Sequence, residues 1–178
     1  TSLDLSQNAA LNVLNCANNN LSTLDINNNI ALKELNCANN NLAGLTLSQN
    51  TALEVLNCTD NYLTTLDVAA NNALNTLICY NNPFTTQAFD DLMCSMPTVV
   101  NNVGIFTPLF DDVDANYTQF MAANSSIALT KNWNVIYANA TDVPATNGKF
   151  SCNLNMNQFI TVDIAPNARI NIGFTGKY

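Results

Sequence analysis

Apolar residues recur along the first half of the chain at a constant spacing. They run Leu11, Leu14, Cys16, Leu21; then Leu32, Leu35, Cys37, Leu42; then Leu53, Leu56, Cys58, Leu63; then Leu74, Leu77, Cys79, Phe84. Equivalent positions lie 21 residues apart, and an asparagine (Asn19, Asn40, Asn61, Asn82) stands two residues before the last of each set. The spacing L-x-x-L-x-L-x-x-N-x-L, repeated at a period of about 20–29 residues, marks a leucine-rich-repeat solenoid. One such coil cannot enclose a core, so neighbouring coils must stack and share one.

Within each coil the x-L-x-C-x stretch alternates apolar and polar residues, the period of a strand with one buried face. Leu14 and Cys16 point inward, and Val13, Asn15 and Ala17 point outward. Stacking in register puts strands roughly 4.8 Å apart in a parallel sheet. The second half of each coil reads Leu24-Asp-Ile26, Leu45-Thr-Leu47 and Leu66-Asp-Val68, followed by Asn29, Asn50 and Asn71. It is too rich in asparagine and β-branched residues for a helix, so a short strand or a 3₁₀ turn is expected there. Leu3-Asp-Leu5 with Asn8 matches this second half, so the chain opens part-way through a coil.

The asparagine column falls where the chain leaves the strand. A buried amide there can donate and accept at once, which aspartate and leucine cannot, so Asn19, Asn40, Asn61 and Asn82 are read as structural. The column Cys16, Cys37, Cys58, Cys79 invites three readings. Adjacent rungs suit the Cα distance of a disulfide, but parallel Cβ vectors do not converge. Ligands on a line do not surround a tetrahedral metal, and the chain has no histidine. Buried free cysteine acting as a small hydrophobe is the expectation.

After Phe84 the period breaks. Thr85-Thr86 can cap a helix with Phe89, Leu92, Met93 and Met96 on one face, ended by Pro97, which leaves Cys94 near the edge. A strand over 103–109 follows, then a helix opening at Asp114 or Asn116, with Tyr117, Phe120 and Met121 inward, that ends near Lys131–Trp133. A short strand at 135–137 closes this part. These are two longer coils that extend the sheet and cap the core. Beyond Thr141, turn residues separate alternating stretches at 150–154, 159–164 and 170–174, which predict a small β-rich appendage or the start of a further β domain. Cys152 is a conceivable partner for Cys94. The expected organisation is thus regular repeats over 1–84, irregular capping units over 85–140 and the appendage over 141–178. In fold class it is α/β, a right-handed solenoid with its parallel sheet on the concave face.

Composition then narrows the function. Net charge is −8, with five Lys and Arg residues against thirteen Asp and Glu. Nucleic acids and anionic membrane surfaces call for basic patches, so neither is an expected partner. No apolar run is long enough to span a bilayer, and no signal peptide is visible, as a mature or trimmed form would show. Without histidine the commonest general base and the Ser-His and Cys-His pairings are gone, and no cofactor is implied. The acidic cluster Asp111, Asp112, Asp114, with Asp90-Asp91, offers oxygen ligands for calcium. A solvated loop with a helix cap at Asp114 explains it equally well. The sequons at Asn20, Asn57, Asn116, Asn124 and Asn139 are what chance supplies in an asparagine-rich chain.

The outward strand columns are the best binding candidates, since the sheet face of a solenoid is an extended binding surface. They run Val13, Glu34, Val55, Thr76; Asn15, Asn36, Asn57, Ile78; and Ala17, Ala38, Thr59, Tyr80. Glu34, Asn57, Thr59, Thr76, Ile78 and Tyr80 are the candidate ligand residues, Tyr80 as the aromatic anchor. Packing of Ile78 and Tyr80 beneath the C-terminal units is the competing expectation.

The segments Leu-Asn-Cys-Ala-Asn-Asn-Asn-Leu (35–42) and Leu-Asn-Cys-Thr-Asp-Asn-Tyr-Leu (56–63) resemble the cysteine-containing repeats of internalin-J-like bacterial surface proteins. Together with 128–136, they are also similar to secreted repeat proteins of Bacteroidetes. The resemblance implies a secreted or cell-surface bacterial protein that acts in adhesion or protein binding; the expectation for this chain is a monomer whose ligand is a protein or a glycan. A structural spacer presenting another domain is the alternative, and a hydrolase a remote third.

Overall fold

The computed structural model describes residues 3–139, 141 and 143. Six strands form one parallel sheet in chain order: β1 (Val13–Asn15), β2 (Glu34–Asn36), β3 (Val55–Asn57), β4 (Thr76–Ile78), β5 (Gly104–Leu109) and β6 (Trp133–Tyr137). The register carries the repeat directly: Leu14 pairs with Leu35, Leu35 with Leu56 and Leu56 with Leu77, each 21 positions on. The step then lengthens to 29, with Thr76 opposite Ile105 and Gly104 opposite Trp133. The extra residues are helical: α1 (Thr86–Ser95) in the first long coil, α2 (Tyr117–Ala122) and α3 (Ser126–Thr130) in the second.

Inside, like residues stack on like. The leucine, cysteine and asparagine columns are buried from the second coil onward, and all four column cysteines are free thiols. The opposite side of each coil is a turn and not a strand. Asn29 N–H donates to Ile26 C=O at 3.0 Å and Leu32 N–H to Asn29 C=O at 3.1 Å, and the next two coils repeat this. Each bond closes a four-residue turn and the two turns share Asn29, so this side is a pair of linked turns where a short strand or a 3₁₀ turn was expected.

The long coils close the far end with bulk. Phe84, Phe89, Phe120 and Phe106 form a chain of edge-to-face contacts with centroids 5.3, 5.1 and 6.1 Å apart, each worth about 0.5–1.5 kcal/mol beyond the area it buries. Helix α1 starts as its sequence predicts: the Thr85 hydroxyl accepts from Ala88 N–H at 3.1 Å. Its C-terminus is held by Lys131, whose Nζ donates to the carbonyls of Cys94 and Met96, where a cation also complements the helix dipole. The single helix expected from Asp114 or Asn116 to Lys131 is instead two. The chain is extended at Ala123, Asn124 N–H donates to the Asp90 carboxylate at 2.8 Å, and the Asn124 side chain receives Ser126 N–H and Oγ. Asparagine competing for backbone bonds is the local cause of the break.

Past β6 the chain doubles back. Tyr137 N–H donates to Thr141 C=O at 2.8 Å and Val143 N–H to Val135 C=O at 3.1 Å. These bonds occupy backbone groups that an edge strand would otherwise present. The strands expected at 150–154, 159–164 and 170–174, and Cys152, lie outside the described residues. Cys94 itself is half-buried and disulfide-bonded. Among the described residues no helix is long and apolar enough to cross a membrane.

Candidate functional site

Two asparagine ladders hold the coils at a common pitch. Asn61 Oδ1 accepts from Leu42 N–H of the preceding coil at 3.0 Å, and Nδ2 donates to the carbonyls of Cys37, Cys58 and Thr59 at 3.0–3.2 Å. Asn40 and Asn82 do the same one coil either side, and Asn116 Nδ2 extends the ladder to the carbonyl of Asn82. Asn19 donates to Cys16 and Ala17. The second ladder, Asn29, Asn50 and Asn71, ties each coil to the carbonyls of the one before. A further column, Asn18, Asn39, Asp60 and Asn81, takes positive φ between 53° and 57°, a region that Asn and Asp tolerate better than other side chains.

The cysteine ladder sits under the sheet. Cys37 Sγ lies 3.6 Å from Asn57 C=O and Cys58 Sγ 3.7 Å from Ile78 C=O, each thiol donating weakly to the next strand. Burial pushes the Cys37 thiol up to about 12, helped by the neighbouring Cys16. Burial also raises Cys58 and Cys79 far above the usual thiol range, with Cys79 further opposed by the charge of Asp114. These thiols stay protonated near neutral pH and are poor nucleophiles and ligands. The chain is a leucine-rich-repeat solenoid with a cysteine ladder.

No family model matches the chain, and no curated protein matches it. A solved structure described as the functional domain of InlJ from Listeria monocytogenes, which includes a cysteine ladder, is similar at 36% identity over 66% of this chain, with a TM-score of 0.47. The chain spans about a quarter of that structure's length, 26%.

On the outward face the register sets Val13, Glu34, Val55, Thr76, Ile105 and Asn134 in one row across all six strands. Beside it run Asn15, Asn36, Asn57, Ile78 and Thr107. Glu34 is exposed and Thr76 half-buried, its hydroxyl donating to Asn75 Oδ1. Asn57 is partly committed to its own turn: Oδ1 accepts Thr59 N–H at 3.2 Å, as Asn15 and Asn36 accept the N–H two residues on. Thr59 corrects the sequence reading. It is 1% exposed, set between neighbouring rungs to which it is bonded through Asn39 N–H on one side and flanked by the Asp60–Tyr80 bond on the other. At 1% exposure its side chain offers a ligand no surface, although Ala38 at the same position one coil earlier is half-buried.

Ile78 and Tyr80 are both half-buried, and Tyr80 packs edge-on against Phe110 at 5.5 Å and 61°. Phe110 is itself 50% exposed and Ile105 42% exposed. Ile105, Ile78, Tyr80 and Phe110 therefore make a diagonal apolar band where the short coils meet the long ones. Phe110 and Ile105 are the site residues that the sequence left unassigned. The run Val103-Gly-Ile105-Phe-Thr107-Pro-Leu109 is apolar in both phases, so alternation alone cannot say which phase faces out.

The acidic loop is scaffolding for this band. Asp114 Oδ2 accepts from Phe110 N–H at 2.9 Å and Oδ1 from Asn116 N–H at 2.8 Å, while Asp111 Oδ1 takes Val113 N–H at 3.0 Å. Among the described residues no three acidic, cysteine or histidine side chains come together as a metal site requires. Asp111, Asp112 and Asp114 thus do not converge as calcium ligands: two of them are spent on backbone N–H groups of a turn.

Proposed function

We propose that the protein is a secreted or cell-surface binding module, and not an enzyme, that engages a protein or glycan through the outward face of its sheet. The carrying observation is the apolar band of Ile105, Ile78, Tyr80 and Phe110 on the outward side of the sheet, with Phe110 50% and Ile105 42% exposed. Half-exposed aromatics on a preformed surface lose little entropy on binding and commonly dominate an interface. The disulfide at Cys94 supports an oxidising compartment, in keeping with the resemblance of the repeats to internalin-J-like surface proteins. The fold alone assigns no ligand.

The test is binding to arrays of immobilised extracellular proteins and glycans, followed by variants. Tyr80→Ala and Ile78→Ser are expected to weaken the binding that is found by at least about 1 kcal/mol with the fold intact by circular dichroism. Asp25→Ala, on the turn side, should leave it unchanged. Binding that survives Tyr80→Ala and Ile78→Ser but is lost in Asp25→Ala would move the site off the sheet.

A further inference from the structure

Resting on the binding-module reading, we propose that the Tyr80–Phe110 band docks a cationic peptide segment, with an apolar or arginine side chain laid against the two rings and its basic neighbours facing Asp60, Asp111 and Asp112. The only cations among the described residues are Lys33 and Lys131, and both are engaged: Lys33 Nζ with Glu54 Oε1 at 2.8 Å, Lys131 with the two carbonyls ending α1. An anionic partner, whether an acidic peptide or a sulfated or uronic glycan, would find no free positive group there.

The charged residues that adjoin the band in register or along the chain are carboxylates. Asp60 lies beside Tyr80, held through Asn81 Nδ2 at 2.8 Å, and is exposed. Asp111 and Asp112 follow Phe110 directly; Asp112 is exposed, while Asp111 uses one carboxylate oxygen on Val113 N–H. The two rings and Ile78 and Ile105 offer apolar surface on which the methylene stem of Arg or Lys can lie, with its head reaching the carboxylates. The faces of Tyr80 and Phe110 add attraction for a guanidinium. A neutral glycan gains nothing from this acidic rim, whereas a basic segment is steered by it.

The probes are fluorescent twelve-residue peptides in three sets, Arg/Lys-rich with Leu or Trp, charge-neutral, and Asp/Glu-rich, titrated into the full chain by fluorescence polarisation beside a glycan array. The basic set should bind at least about tenfold more tightly than the other two, and added salt should narrow that gap. Phe110→Ala should lower the affinity of the basic set at least tenfold. Asp112→Asn, a surface change that leaves packing alone, should lower it severalfold and flatten the salt dependence, and Asp25→Asn should do neither. Equal binding of acidic and basic peptides, or indifference to both Phe110→Ala and Asp112→Asn, overturns the proposal. So does a Tyr80-dependent dimer in sedimentation with no peptide bound. Glycan binding sensitive to Tyr80→Ala without peptide binding overturns it while leaving the sheet-face reading in place, and absence of both kinds of binding removes the two together.

Discussion

Asn61→Ala isolates what an interior rung of the asparagine ladder contributes. The side chain is 5% exposed; its oxygen accepts one bond and its two N–H groups are shared among three carbonyls. The three carbonyls it serves keep another donor: Cys37 C=O keeps Asn40 Nδ2, Cys58 C=O keeps Asn82 Nδ2, and Thr59 C=O keeps Asn39 N–H. Leu42 N–H has no such second partner, so the substitution orphans one buried donor at about 1–3 kcal/mol. The weakened carbonyl bonds raise the expected total to roughly 2–4 kcal/mol. Asn19 makes the contrasting case. It is exposed, takes no backbone N–H among the described residues, and its main acceptor, Cys16 C=O, also receives Asn40 Nδ2. Asn19→Ala should therefore stay within about 0.5 kcal/mol. Urea denaturation followed by far-ultraviolet circular dichroism gives both values, and amide exchange at Leu42 should accelerate only in Asn61→Ala. Equal losses at the two positions, or an Asn61→Ala loss under about 0.5 kcal/mol, would refute the ladder as the source of coil-to-coil stability.

Other outcomes follow from the same contacts. Because burial raises the Cys37 thiol from 9.0 to about 12, the unfolded chain ionises first as pH rises; the stability this thiol contributes is whole below pH 9 and is lost between there and about 12. The slope is near 1.4 kcal/mol per pH unit for each such thiol, and Cys37→Ala should flatten it in pH-dependent urea melts. Thiol reagents at neutral pH should modify Cys37, Cys58 and Cys79 only after denaturation, and prompt native labelling would contradict their burial. Cys37→Asp should unfold neighbouring coils by burying an unpaired charge, whereas Cys37→Leu should cost far less in the same melts. A methyl group at Gly104 would meet the Trp133 ring at 2.7 Å, so Gly104→Ala should cost about 1–3 kcal/mol by overpacking, read as a lowered melting midpoint.

The regular part of this protein was open to sequence reasoning because each coil meets copies of itself. When Leu35 stacks between Leu14 and Leu56, the environment of one residue is written in the next repeat, and period, register, buried cysteines and bonded Asn40, Asn61 and Asn82 all follow. The capped start of α1 was legible for a related reason, since Thr85 and Ala88 lie three residues apart. What escaped depended on unlike neighbours. The helix break at Asn124 needs Asp90 from another coil. The second ladder at Asn29, Asn50 and Asn71 is an exception, since it repeats like the first; it went unread because it lies on the side without strands, where no alternation marks which backbone groups need partners. Thr59 had to be seen between its rungs before it could be called buried. Ile78 and Tyr80 were legible as the apolar end of the sheet face, but their partners in the band were not: Tyr80 belongs to the 21-residue pattern and Phe110 to the loop after a 29-residue step, and only packing across that change of period brings their rings together.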